Sequence, residues 1–341
     1  MFNGISCFNL ASEKIGLNID KIYTSEIDKY SLAIETYRFP NNIQLGDIGE
    51  IKTEDLPQID LLIGGSPCTN FSFSGKCEGM VTEDNIKITS LSQYLKLKED
   101  GYSFKGQSYL FFEYIRLLRE INPRYFLLEN VRMKKEYLDI ISENIGVEPI
   151  LINSKLLSAQ SRPRYYWTNI PNITQPEDRG IVFKDISEDE NNLVGAFRGR
   201  YLETGGIGQR LEIRKDGKSN CLTTVQKDNV VVSCKMVGMA TDIKGHDILK
   251  RVYSPEGKSP TLTAVCGGNQ EKKISLNNEE YRKMTPLEYE RLQTIPDNYT
   301  LVTYGKKMIS NSQRYRVLGL GFTVDIIAHI LKNLKEGIEN V

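Results

Sequence analysis

A cysteine that closes an apolar run is the first point in this sequence where chemistry could begin. Asp60-Leu61-Leu62-Ile63-Gly64-Gly65-Ser66-Pro67-Cys68 reads as a buried strand ending in small residues, so the strand would fix Cys68 while the loop exposes its thiol. The same residues also fit a thiol buried at a strand end. Phe126-Leu127-Leu128-Glu129-Asn130 repeats the pattern with a carboxylate. Glu129 could be an acid or hydrogen-bond donor where burial raises its pKa, or it could cap the following helix. In Gln160-Ser161-Arg162-Pro163-Arg164, two arginines at i and i+2 precede Tyr165-Tyr166-Trp167. They could clamp a phosphate or a carbonyl oxygen near Cys68, or stand as solvated charges beside a proline.

The elements needed to position these groups follow a βαβ rhythm. The spacing predicts strands at 19–25, 59–63, 125–128, 148–152 and 164–168, and helices at 29–37 and 109–121, the latter closed by Pro123. This predicts a mostly parallel sheet flanked by helices, with ligands at the carboxyl ends of its strands. Between Thr69 and about Lys105 no regular element is predicted, and a loop of that length in a compact domain reads as a lid or a disordered segment. From Pro171 to about Asn278 short strands, glycines and charged turns take over, with strands expected at 221–226, 229–236 and 261–266. Within this segment the run Gly217 to Val225 is echoed by Gly257 to Val265, which suits either paired ligand-facing loops or two ordinary hairpins. Helical character returns with Pro286 in a first turn and ends in a helix at 324–334.

Composition narrows the possibilities. A chain of 341 residues can bury a sizeable core, and 40% hydrophobic with 26% charged residues is the balance of a globular protein. Forty-four basic residues match forty-four acidic ones, so any polyanion surface must come from charge placement. No stretch is expected to reach membrane-span length. The cysteines at 7, 68, 77, 221, 234 and 266 form no CxxC pair, and only His246 and His329 could assist them, so no metal is expected. Neither a basic leader nor an apolar signal segment follows Met1, which points to a cytoplasmic protein with reduced thiols.

Taken in order, these segments resemble the cytosine-C5 DNA methyltransferase family, of bacterial or phage type, along essentially the whole chain. The likeness rests on Phe2-Asn3-Gly4-Ile5-Ser6-Cys7, Ser25-Glu26-Ile27-Asp28, Gly46-Asp47-Ile48, Pro67-Cys68, Glu129-Asn130-Val131, Gln160-x-Arg162-x-Arg164 and Thr285-Pro286-Leu287-Glu288-Tyr289-Glu290-Arg291-Leu292-Gln293. Three positions depart from the family's pattern. Ser6 stands at its usual second glycine, Thr69 at the usual glutamine, and Phe322 in Gly321-Phe322-Thr323-Val324 at the usual asparagine, where the animal de novo methyltransferases also carry an aromatic.

The resemblance implies an α/β, Rossmann-like S-adenosylmethionine-dependent methyltransferase fold with a mostly parallel sheet. The catalytic domain would span 1–170 and 279–341, and a small β-rich target recognition domain 171–278. It implies methyl transfer from S-adenosylmethionine to C5 of a cytosine flipped out of a specific duplex DNA sequence, through a covalent bond between Cys68 and C6. Glu129 would protonate or hydrogen-bond N3, Arg164 would contact O2 beside the thiolate, and Arg162 would support the pocket. The cofactor would be held by Phe2, Gly4, Ser6, Glu26, Ile27, Asp47, Ile48, Pro67, Leu110, Thr323 and Val324, with Glu26 on the ribose hydroxyls and Asp47 on the adenine amine. DNA contacts would come from Ser72, Ser74, Lys76, Arg198, Arg200, Arg210, Thr223 and Thr263. The expected assembly is a monomer, with a dimer as the alternative, and a restriction-modification setting is implied. Two other readings stay open: a transfer-RNA cytosine methyltransferase sharing the catalytic set, and a DNA-binding regulatory paralogue with weak turnover.

Overall fold

The computed structural model describes all residues except 68–70, 72–79, 189–193, 202–206, 215–235, 245, 256, 263–270, 276–280 and 340–341, and for 194–201, 207–214, 281–283 and 336–339 it describes the backbone alone. Two compact units result. The first comprises Met1–Asn153, Pro163–Gln175 and Ile327–Val341, the second Ser154–Arg162 and Pro176–Ile326. The functional partition expected at 171–278 concerns which segment reads DNA, whereas this boundary follows compactness alone.

In chain order the first unit carries α1 (Cys7–Ile15), β1 (Tyr23–Thr24), α2 (Lys29–Arg38), β2 (Ile43–Gln44), β3 (Leu61–Gly64), α3 (Leu91–Glu99), α4 (Phe111–Ile121), β4 (Tyr125–Val131), α5 (Lys135–Ile145), β5 (Ile150–Asn153) and β6 (Pro163–Thr168). β1 pairs in parallel with β2, and a four-stranded sheet runs β3-β4-β6-β5. β3 and β4 are parallel while β6 is antiparallel to both β4 and β5, so β3, β4 and β5 share one direction and β6 is reversed. The core collects Leu62, Phe112, Ile115, Leu128, Ile141 and Trp167. α4 buries Phe111, Phe112, Tyr114, Ile115 and Leu117 along one stripe and stops at Asn122, whose left-handed φ of 46° precedes Pro123. Gly64 is required by a close approach, because a Cβ there would lie 3.0 Å from the Tyr114 ring.

Several sequence expectations change here. β1 is two residues long rather than seven, and α4 is preceded by a 3-10 turn at Ser108–Leu110. β4 continues through Glu129 and Asn130 to Val131, so the carboxylate lies inside the strand, and the residue capping α5 is Lys134. Part of the stretch from Thr69 to Lys105, expected to hold no regular element, carries a helix and packs against the core. α3 is capped by Ser90, whose hydroxyl accepts from the Gln93 amide, and Phe71, Met80, Ile88, Leu91 and Tyr94 are buried. The Thr89 amide donates in turn to Gln93 Oε1 at 2.9 Å, a helix start that the mixed composition of 80–105 hides.

The second unit carries β7 (Val194–Tyr201), β8 (Ile207–Arg214), β9 (Met236–Met239), α6 (Asp247–Lys250), β10 (Arg251–Tyr253), β11 (Lys273–Ser275), β12 (Tyr281–Lys283), α7 (Pro286–Leu292), β13 (Thr303–Tyr304), β14 (Lys307–Met308) and α8 (Asn311–Leu320). α9 (Val324–Glu339) leads back into the first. The β-rich character expected after Pro171 is present as the ladder β7-β8 and the sheet β12-β11-β10-β9. The strand expected at 221–226, most of that at 229–236, and residues 263–266 lie outside the described residues, as does the first of the two echoed runs. In the second run the Ser259 amide donates to the Ala159 carbonyl and the Ser161 amide to the Ser259 carbonyl, a parallel bridge rather than a hairpin. α7 follows the sequence signal closely: Thr285 and Glu288 form a reciprocal capping box, with Pro286 in the first turn.

One expectation fails on composition. The stretch Asn311–Lys335 is long and apolar enough to cross a membrane, with a mean hydropathy of 1.4, but 72% of its apolar window is buried within the protein. It is also interrupted at Gly321–Thr323, between α8 and α9. Among the described residues no cluster of histidine, cysteine, aspartate or glutamate could hold a metal ion.

Candidate active site

Three left-handed residues, Phe2 (φ 53°), Gly4 (φ 57°) and Ser6 (φ 62°), curl the backbone ahead of α1. The curl is tied internally by Asn3 Nδ2 donating to Ser6 Oγ at 2.9 Å. It is tied to the end of β1 by the Gly4 amide donating to Glu26 Oε2 at 2.8 Å. Glu26 Oε1 accepts from the amides of Ile27 and Asp28, both at 2.8 Å. One strand over, Ser25 Oγ donates to the Gly46 carbonyl at 2.7 Å, and Asp47 Oδ1 accepts from the Gly49 amide at 2.8 Å. Two carboxylates therefore follow two neighbouring parallel strands, and Ile27, 61% exposed, gives an apolar face beside them. Acceptors bracketing an apolar face suit a nucleoside, with hydroxyls and an amine as donors. Ile48 is buried, Pro67 is half-buried, and Leu110 packs against the core from the turn before α4.

At the heart of the four-stranded sheet, β4 and β6 place Glu129 opposite Tyr166 and Val131 opposite Arg164. Arg164 Nε donates to Glu129 Oε1 at 2.9 Å, and both side chains are nearly buried. Arg164 Nη1 also donates to its neighbour's carbonyl, Pro163, at 2.9 Å, which turns the guanidinium along the strand. Asn130 points the other way. Its Nδ2 donates to Ser66 Oγ at 3.0 Å and its Oδ1 accepts from the Val131 amide at 2.8 Å. Ser66 stands two residues before Cys68, so Asn130 anchors the loop that carries the thiol, while Cys68 itself lies outside the described residues. A carboxylate, a guanidinium and the anchored Ser66 thus converge towards the ends of β3 and β4.

Residues 1–336 match the C-5 cytosine-specific DNA methylase family. The chain belongs to that family. The protein is accordingly a DNA cytosine-C5 methyltransferase that uses S-adenosylmethionine, with DNA as its partner. Among curated proteins it is 30% identical to the orphan methyltransferase M.SPBetaI of Bacillus phage SPbeta, over 98% of this chain and 96% of that one. It is 26% identical to the type II methyltransferase M.HhaI of Haemophilus parahaemolyticus, over 98% and 92%. Among solved structures the Entamoeba histolytica methyltransferase EhMeth shares its fold, with a TM-score of 0.61 at 14% identity over 99% and 97% of the two chains.

The methyltransferase's remaining motif residues gather in the second unit. Arg162, 4% exposed, donates to the carbonyls of Leu262 at 3.1 Å, Gly319 at 3.2 Å and Gly321 at 3.0 Å. Gln160 Nε2 donates to the Leu292 carbonyl and to Gln293 Oε1, while its own Oε1 accepts from the Leu262 amide. Gln293 Nε2 donates to the carbonyls of Leu318 and Gly321, and its Oε1 also accepts from Thr323 Oγ1 at 3.0 Å. Ser154 Oγ completes the hub on Thr323 Oγ1 at 2.9 Å, and Val324 is buried beside it. Arg162, expected to support the base pocket, and Thr323 and Val324, expected to hold the cofactor, lie in or beside this buried polar hub.

Ser72, Ser74, Lys76, Thr223 and Thr263 lie outside the described residues. Arg198 and Arg210 are register partners across β7 and β8, and Arg200 sits two positions further along the same strand. Sequence reasoning missed the linking roles of Asn130, Gln160 and Gln293. Each stands in a motif quoted for its charged neighbours, but nothing in linear spacing shows that a glutamine at 160 meets one at 293.

Proposed function

We propose that Cys68, Glu129 and Arg164 carry the methyl transfer through a covalent adduct. The reading is carried by the Glu129–Arg164 pair at the strand ends, beside the loop that Asn130 holds by Ser66. Cytosine C5 is a weak nucleophile. The Cys68 thiolate would add to C6 as Glu129 delivers a proton to N3, leaving an electron-rich C5. S-adenosylmethionine supplies an electrophilic methyl group on sulfur, which C5 takes. A water in the closed site would then remove the C5 proton, the C6–S bond would break to return the thiolate, and Glu129 would recover its proton from N3. Arg164, freed from Glu129 by the incoming base, would donate to O2 and favour the thiolate by its charge. Arg162 acts as a positioning residue through its carbonyl contacts.

The cofactor's ribose hydroxyls would meet Glu26 and its adenine amine Asp47, with Ile27 against the ring and the backbone of Phe2 to Ser6 at the methionine end. Because C5 is hidden in duplex DNA, the target nucleotide must be flipped out, at a cost of about a few kcal/mol. The segment 171–278 would carry the sequence preference. The register pairing of Arg198 with Arg210, with Arg200 two positions along the same strand, puts three basic positions on one ladder, which supports a partner with phosphate groups. Ser72, Ser74, Lys76, Thr223 and Thr263 would add contacts from their loops. A monomer working in the cytoplasm suffices for this chemistry.

The test is tritiated-methyl transfer to duplex DNA and to transfer RNA side by side, with bisulfite mapping of the modified cytosines. Label confined to DNA, at one recurrent sequence, is the expected result. Label in RNA alone would replace this reading, and exchange of 171–278 with a relative's segment should move the modified sequence without abolishing transfer.

A further inference from the structure

The short turn that carries Asp47 is held from beneath by a charged cluster on α3 and α4 that no catalytic or cofactor role accounts for. Asp47 opens a 3-10 turn at Ile48–Glu50. Arg116 Nη2 donates to the Ile48 carbonyl at 3.1 Å and Nη1 to the Ile51 carbonyl at 3.3 Å, so one guanidinium grips both ends of the turn. The guanidinium is itself fixed by two carboxylates. Its Nε donates to Glu113 Oε2 at 2.7 Å, and its Nη1 to Glu120 Oε2 at 2.9 Å. Glu113 is 1% exposed and takes two further donors on Oε1, Tyr94 Oη and Lys98 Nζ, each at 2.6 Å. Glu120 is tied back to the chain after the turn by Thr53 Oγ1 at 3.1 Å. Asp47, by contrast, is exposed and uses Oδ1 on the Gly49 amide.

We infer that Arg116, locked by Glu113 and Glu120, is a positioning residue that sets the reach of Asp47 toward the amino group of the cofactor's purine ring. Arg116 is only 13% exposed, and it cannot swing without taking a donor from the buried Glu113 carboxylate, so the turn is held in place. That rigidity matters for a single amine-to-carboxylate hydrogen bond, where a shift of about 1 Å loses the contact. This inference rests on the reading of Asp47 as the purine-amine acceptor.

The experiment measures affinity for S-adenosylhomocysteine and for its analogue lacking the 6-amino group, by calorimetry, in the wild type, Asp47→Asn, Arg116→Met and the double variant. Arg116→Lys, which keeps the charge but loses the two-ended grip, serves as the milder variant should Arg116→Met fold poorly. Arg116→Met is expected to weaken S-adenosylhomocysteine about tenfold while changing the 6-deamino analogue less than twofold, with kcat at saturating cofactor kept within about twofold. In the Asp47→Asn background the Arg116 effect should vanish. Equal weakening of both ligands, or full additivity with Asp47→Asn, would overturn the inference while leaving Asp47 as a ligand. An Asp47→Asn variant that discriminates the two ligands as the wild type does would instead remove the reading of Asp47, and the inference with it.

Discussion

Two sets of motif side chains, one in each unit, are used in opposite ways. In the first, Glu26 and Asp47 are held by backbone amides at strand ends, and Ile27 beside them is left largely in solvent. In the second, Gln160, Arg162, Gln293 and Thr323 satisfy one another and the carbonyls around them, and Glu290 is buried against Arg314 at 3.0 Å, with Thr300 and Asn298 donating to it as well. A motif residue therefore does not announce its use by its type. Arg162 and Arg164 are two residues apart, yet one braces a hub while the other faces a carboxylate inside a sheet. Glu26 and Asp47, meant to meet a ligand, keep an open side, whereas the hub side chains are buried among their own partners.

This contrast gives each region its own signature under mutation. Arg314→Met should have the largest effect on stability, about 3–5 kcal/mol by urea denaturation, because it leaves the Glu290 carboxylate buried without its cation. A loss below about 1 kcal/mol would mean that the Glu290–Arg314 pair does not carry the second unit. Glu129→Gln should do the reverse, lowering kcat by about 10²–10⁴-fold with little change in the denaturation midpoint, since an amide can still accept from Arg164. A matching loss of stability would make Glu129 a structural residue.

A smaller effect is expected from pH. Burial alone would raise the Glu113 carboxyl, but hydrogen bonds from Lys98, Tyr94 and Arg116 outweigh it and hold the group below the ordinary glutamate value. A depressed folded pKa stabilises the protein above the unfolded value of about 4.3, and that contribution fades as pH falls through the lower folded value. The stability difference between wild type and Glu113→Gln should thus be constant at neutral pH and shrink below about pH 4. Smallest of all is Ser6→Gly, which relieves a left-handed side chain costing about 1–2 kcal/mol but loses the Asn3–Ser6 hydrogen bond. The net gain should stay under about 1 kcal/mol, read as a rise in Tm with cofactor affinity unchanged.

Much of the fold was legible because its signals are local. The apolar run before Gly64, the stripe on α4 and the Thr285-Pro286-Glu288 start of α7 each follow from neighbouring residues. What stayed hidden depends on distant partners. β4 runs on through Glu129 and Asn130 because β6 offers them a ladder, and the polar composition of 80–105 masks a helix whose few apolar residues face an existing core. The motif residues of the candidate site could be named from order and type. Their division between an open strand end and a buried hub could not, since it is set by contacts between residues 100 and 159 positions apart.

The account turns on a thiol bonding to a flipped cytosine beside Glu129. Incubation with S-adenosylmethionine and duplex DNA carrying 5-fluorocytosine at the target, followed by mass spectrometry of the denatured complex, addresses it directly, because fluorine at C5 cannot leave as a proton. The account predicts a covalent protein–DNA species with the methylated base attached at Cys68 and no such species with Cys68→Ser. An adduct that persists in Cys68→Ser, or methyl transfer by the wild type with no adduct at all, would contradict it.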